Sequence, residues 1–179
     1  MADNLLKSRR FLPLLLTQFL GALNDNLFKN ALLMLVTVRM VEKADILSNV
    51  IAALFILPFF LFSATAGEIS DKYDRSRVAR VLKIVELVLM VGVGIVYLIQ
   101  SLPYLIVLLA LMGAQSAFFG PVKYSLLPQQ LSSSELVAGN AYVEASTYVA
   151  ILLGLILGTL FAYRENEGFE VYSDSKLYL

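Results

Sequence analysis

The sequence predicts an all-α integral membrane protein, a helical bundle with five transmembrane helices. Three observations carry that reading. Of 179 residues, 59% are hydrophobic and 16% charged, whereas soluble domains carry about 25% charged residues. Mean hydropathy is +0.76. Five apolar stretches also approach or exceed the roughly 20 residues that a helix needs to cross a hydrocarbon core of about 30 Å.

The first span covers about 11–38. Lys7, Arg9 and Arg10 before it give it the look of a signal peptide, but no small-residue cleavage site follows. The chain runs on into Asn24-Asp25-Asn26, so the segment is expected to remain as a span. Arg39–Asp45 is a short polar loop, and the second span, about 46–66, holds Pro58 as an expected kink. A charged loop, Gly67–Arg77, leads to the third span, about 79–99, with Lys83 and Glu86 in its first turns. Gln100–Pro103 is a tight turn before the fourth span, about 104–126. Leu127–Ser134 then links to the fifth, about 136–162, where Ser132 and Glu135 have the spacing of a capping box. Residues 1–163 thus read as one transmembrane bundle and 164–179 as a polar tail.

Lys and Arg set the expected orientation. Seven lie in the N-terminus and around the Gly67 loop (Lys7, Arg9, Arg10, Lys72, Arg75, Arg77, Arg80). Four lie on the opposite side (Arg39, Lys43, Arg164, Lys176), which puts the N-terminus in the cytoplasm.

The polar residues inside the spans carry the functional information. A charge at a helix centre costs roughly 2.5–3.5 kcal/mol on insertion scales, so such residues usually face a bundle interior or a watery cavity. In the first span Gln18, Asp25 and Lys29 fall on one stripe, accompanied by Asn24, Asn26 and Asn30. In the fourth, Ser116, Gly120 and Lys123 share a face, with Lys123 about 28 Å along from Tyr104. A snorkelling interfacial lysine has the same position. In the fifth, Asn140, Glu144, Thr147 and Tyr148 share a face, and Glu144 lies about 12 Å in from Leu136. Simple pairing of Glu144 with Lys123 is the structural alternative. Asp25 and Glu144 balance Lys29 and Lys123, which allows an internally paired set or a site for a zwitterionic ligand. Gly154 and Gly158 have small-xxx-small spacing, expected to serve helix packing.

Other classes are excluded. Zero net charge offers no basic face for nucleic acid. With no His and no Cys, Ser-His and Cys-His nucleophilic pairs and the common zinc sites are absent. No cofactor is expected.

Gly67-x3-Asp71-Lys72-x2-Arg75-x-Arg77 resembles the loop between helices two and three of the major facilitator superfamily, with Asp74 where that family usually has glycine and Ser76 where a basic residue is common. Gln18-Phe-Leu-Gly-Ala-Leu-Asn-Asp25-Asn, Phe119-Gly-Pro-Val-Lys123-Tyr and Glu144-Ala-Ser-Thr-Tyr-Val-Ala-Ile-Leu-Leu-Gly154 narrow the likeness. Together they are similar to bacterial lysophospholipid transporters, including forms fused to an acyltransferase. The resemblance implies the N-terminal bundle of a twelve-helix alternating-access transporter in the inner membrane. Its substrate would be a lysophospholipid, with Asp25, Asn26, Lys29, Lys123 and Glu144 in the headgroup pathway. Five spans and a polar tail imply an N-terminal fragment whose C-terminal half, or a partner chain, supplies the rest of the cavity wall. The membrane portion of a fused acyltransferase and a non-transporting truncated protein are the alternatives.

Overall fold

The computed structural model describes residues 5–167, and among them there are helices and turns but no strand. Five long helices follow the expected order: α1 (Leu12–Arg39), α2 (Ala44–Lys72), α3 (Arg75–Leu98), α4 (Leu102–Gln130) and α5 (Leu136–Glu167). A single 3-10 turn at Val41–Lys43 joins the first two. Four of these segments, Val41–Lys72, α3, α4 and Leu136–Arg164, are long and apolar enough to cross a membrane. The fifth, α1, has comparable length at 28 residues, but its Asn24–Asn30 cluster dilutes the apolar run.

The expected boundaries are too short at several ends. The second span was expected to close at residue 66 and give way to a charged loop at Gly67, but α2 continues through Gly67, Asp71 and Lys72. Gly67 has no positive φ and so does not break the helix. The chain leaves α2 only at Tyr73, which is extended at φ −112° and ψ 161°. Asp71 therefore lies in the last turn of α2 rather than in a loop. Asp74 takes the capping role, its Oδ1 accepting from the Arg77 N–H at 2.8 Å. Asp74 sits at φ −58°, a value open to any residue, so this turn has no need of glycine. Likewise α5 runs on past residue 162 to Glu167, into the start of the expected polar tail. The rest of that tail lies outside the described residues.

The Ser132–Glu135 capping box forms by half. Glu135 Oε2 accepts from the Ser132 N–H at 3.0 Å, as expected, but the Ser132 hydroxyl donates to that same carboxylate at 2.8 Å instead of capping the helix backbone. Arg10 adds a two-pronged contact to Glu135, at 2.8 and 3.0 Å, tying the segment before α1 to the α4–α5 linker. The three partners together hold the Glu135 carboxyl below its ordinary value, the Ser132 N–H contributing most, then the Ser132 hydroxyl, then Arg10.

The helices pair as α1 with α5 and α2 with α4, with α3 laid against α4. The α1–α5 seam depends on the two glycines of the small-xxx-small pattern. A Cβ at Gly158 would lie 2.3 Å from the Leu27 carbonyl oxygen, and one at Gly154 2.8 Å from that of Leu23. The seam therefore brings helix backbones into contact, as the spacing predicts. Gly113 does the same for α4 against α2, where a Cβ would meet the Phe55 carbonyl at 2.4 Å. One apolar core gathers Phe28, Leu32, Ile51, Val93, Leu109 and Met112; a second, at the Arg10 end, gathers Phe11, Leu14, Val122, Leu126 and Val143. The outer faces are apolar and exposed, including Phe60, Leu87, Leu98 and Val137, which is the surface a bilayer covers.

Candidate functional site

Asp25 is the most enclosed of the expected pathway residues on α1, only 8% exposed. The i, i+7 stripe on α1 places Gln18 on the same inward side, where its side-chain amide donates to Thr147 of α5 at 3.0 Å. Asp25 faces α4: the Ser116 hydroxyl donates to its Oδ2 at 2.5 Å. Its Oδ1 is buried with no hydrogen-bond partner among the described residues. An acceptor left open at membrane depth is expensive unless something meets it during function.

Lys29 lies one turn on. Its ammonium donates to Asn26 Oδ1 at 3.0 Å and sits 5.2 Å from the centre of the Phe55 ring on α2. Among the described residues no ion pair joins Lys29 to Asp25 or Lys123 to Glu144. Of the two arrangements that the balanced charges allow, direct pairing among these four is not seen among the described residues. The ion pair that it does hold inside a span is Lys83–Glu86 on α3, at 2.6 Å.

Lys123 and Glu144 meet through an intermediary instead. The ammonium of Lys123 lies 4.7 Å from the centre of the Tyr124 ring, and the Tyr124 hydroxyl donates to Glu144 Oε1. Ser116 and Lys123, seven residues apart on α4, share a face and are separated by about 10 Å along the axis. The Asp25 contact and the Lys123–Tyr124–Glu144 group thus lie along one side of α4.

Lys83 and Glu86 were legible as charges inside an apolar span, yet their spacing alone gave them no role. The structure joins them to Asp25. Gln115 donates to Glu86 Oε2 at 3.3 Å, and the Ser116 hydroxyl lies 3.1 Å from Gln115 Oε1 and 2.5 Å from Asp25. Polar side chains thereby lie in close succession from α3 through α4 to α1, with the single Ser116 hydroxyl hydrogen given to Asp25. Lys83 is also 4.2 Å from the centre of the Phe119 ring and borders a cavity of about 850 Å³ between α1, α3 and α4. Gly21 makes room for it, since a Cβ there would stand 2.4 Å from the Lys83 ammonium.

The signature-loop residues form a separate group at the end of the bundle. Arg75 reaches back across the break to the Ser70 carbonyl at 3.4 Å and to Asp71 at 3.8 Å. Ser70 is buried and hydrogen-bonded to Ser125 of α4 at 2.7 Å, so the break between α2 and α3 is anchored on α4. Lys72 lies against its neighbour Tyr73, and Arg77 is exposed with its backbone N–H on Asp74. No group of three or more acidic, His or Cys side chains that could hold a metal occurs among the described residues.

Five long helices, four of them long and apolar enough to cross a membrane, a charged break between α2 and α3 and polar side chains held among the helices are the features of a multi-pass membrane protein. The Major Facilitator Superfamily profile matches residues 14–165, and the chain belongs to that family. Among individual proteins, it is 30% identical over 162 residues to the lysophospholipid transporter LplT of Yersinia pestis (strain Pestoides F), and equally to that of Yersinia pseudotuberculosis serotype O:3 (strain YPIII). Each alignment takes in 90% of this chain and 38% of the relative, so the chain spans well under half the length of the curated relatives that it matches. No solved structure matches.

Proposed function

We propose that this chain is the N-terminal bundle of a secondary transporter, not an enzyme, that moves lysophospholipids across the bacterial inner membrane by alternating access. The observation that carries the reading is the polar side of α4, where Asp25 meets Ser116, and Lys123 and Glu144 share Tyr124. A headgroup bearing phosphate and amine needs a cation and an anion at membrane depth, and an acyl chain needs an apolar flank; the bundle offers both. The likeness to the Yersinia lysophospholipid transporters supports the substrate class.

In this reading the N-terminus and the Gly67–Arg77 segment face the cytoplasm, following the distribution of Lys and Arg. In transporters of this kind the substrate route runs between two helical halves. The opposite wall is supplied by a C-terminal half or a partner chain, and the bilayer covers the outer faces. Nucleic acid has no part in it.

The test is direct binding. The 179-residue chain in lipid nanodiscs is expected to bind fluorescent lysophosphatidylethanolamine saturably, and competition by the unlabelled lipid should exceed that by the diacyl form. Binding that never saturates, or that Asp25→Asn and Lys123→Gln leave untouched, overturns the proposal.

A further inference from the structure

Two opposite charges at membrane depth attract strongly, because the surroundings screen them poorly. Lys123 and Glu144 nevertheless form no ion pair among the described residues. Tyr124 touches both. Its ring takes the ammonium of Lys123 at 4.7 Å from the centroid, and its hydroxyl donates to Glu144. Both contacts come from a single side chain, 43% exposed, on a helix that packs only lightly against α5. One turn beyond Glu144, Tyr148 is 65% exposed and offers a second aromatic face beside the carboxylate.

We infer that Tyr124 is a positioning residue that keeps Lys123 and Glu144 from neutralising each other, so that the pair receives a ligand carrying a phosphate and an ammonium group. This rests on the transporter reading above and adds headgroup selectivity to it. The phosphate meets Lys123; the ammonium meets Glu144 between the rings of Tyr124 and Tyr148. A lysophospholipid with a neutral glycerol headgroup satisfies Lys123 alone.

The experiment compares lysophosphatidylethanolamine with lysophosphatidylglycerol on the same chain in nanodiscs. Wild type is expected to prefer the ethanolamine lipid. Tyr124→Phe keeps the ring and its packing but frees Glu144 to reach Lys123. It should weaken both lipids and shrink the ethanolamine advantage roughly tenfold, the scale of one hydrogen bond to a charged group. Adding Glu144→Gln to that variant releases Lys123, so lysophosphatidylglycerol binding should recover while the ethanolamine preference stays lost. Equal affinities for the two lipids in wild type would sink this inference and leave the transporter reading standing, as would an unchanged ratio in Tyr124→Phe. Loss of both lipids equally, without recovery in the double variant, would do the same. No binding of either lipid by wild type removes the transporter reading itself.

Discussion

Asp25 shows how much one residue is asked to hold. Its carboxylate takes one hydroxyl, from Ser116, and leaves the other oxygen without a partner among the described residues. Ser116→Ala therefore strips the carboxylate of its donor and should destabilise the bundle by about 1–3 kcal/mol, read as a lower melting temperature in detergent. Asp25→Asn keeps an acceptor for the hydroxyl and should preserve folding, while lysophosphatidylethanolamine binding falls roughly tenfold. That Asp25 lies inward was legible from the stripe it makes with Gln18. Its partner was not. Lys29 stands four residues on and Asn26 three residues before Lys29, so helical spacing admits either contact for the ammonium. Side-chain rotamers and the ring of Phe55 decide for Asn26. The role of Tyr124 is illegible in sequence for a related reason: only the approach of α5 gives its hydroxyl a carboxylate.

At the scale of helices, order and number were readable from hydropathy, and boundaries were not. Hydropathy reports where the bilayer ends, whereas caps decide where the helix ends. Thus α2 outlasts its apolar stretch until Tyr73, and Asp74 starts the next helix. The α3–α4 turn lies earlier than the expected Gln100–Pro103, since Leu102 and Pro103 already belong to α4, and it contains Gln100 at φ +54°, the left-handed region. Gln100→Gly should relieve that backbone and raise stability by about 1 kcal/mol, visible as a higher melting temperature. The seam glycines should behave in the opposite way. Gly158→Leu places bulk where even a Cβ meets the Leu27 carbonyl at 2.3 Å, and is expected to cost about 1–3 kcal/mol. Gly67→Ala is the control, because a Cβ there meets nothing within 4 Å. Its expected effect is neutral or slightly stabilising, since alanine is the better helix former.

Across the whole molecule, the Arg10–Glu135 contact closes one end of the bundle, and it depends on pH. The Glu135 carboxyl is held below its ordinary value of 4.5, so its contribution is complete above that value and disappears as pH falls through the lowered one. Amide protection over the segment preceding α1, relative to the unstructured chain at the same pH, should fall as the pH drops below 4.5, and Arg10→Gln should lower it already at neutral pH. No sequence pattern connects residue 10 to residue 135; the tie follows from α1 and α5 lying side by side. That pairing has a mechanical corollary. Where two rods touch backbone to backbone, neither can slide or splay without first climbing over the other's carbonyls. In the proposed transport cycle α1 and α5 therefore move as a single stiff keel, and bending falls to α2 and α4, whose interiors carry Pro58 and Pro121.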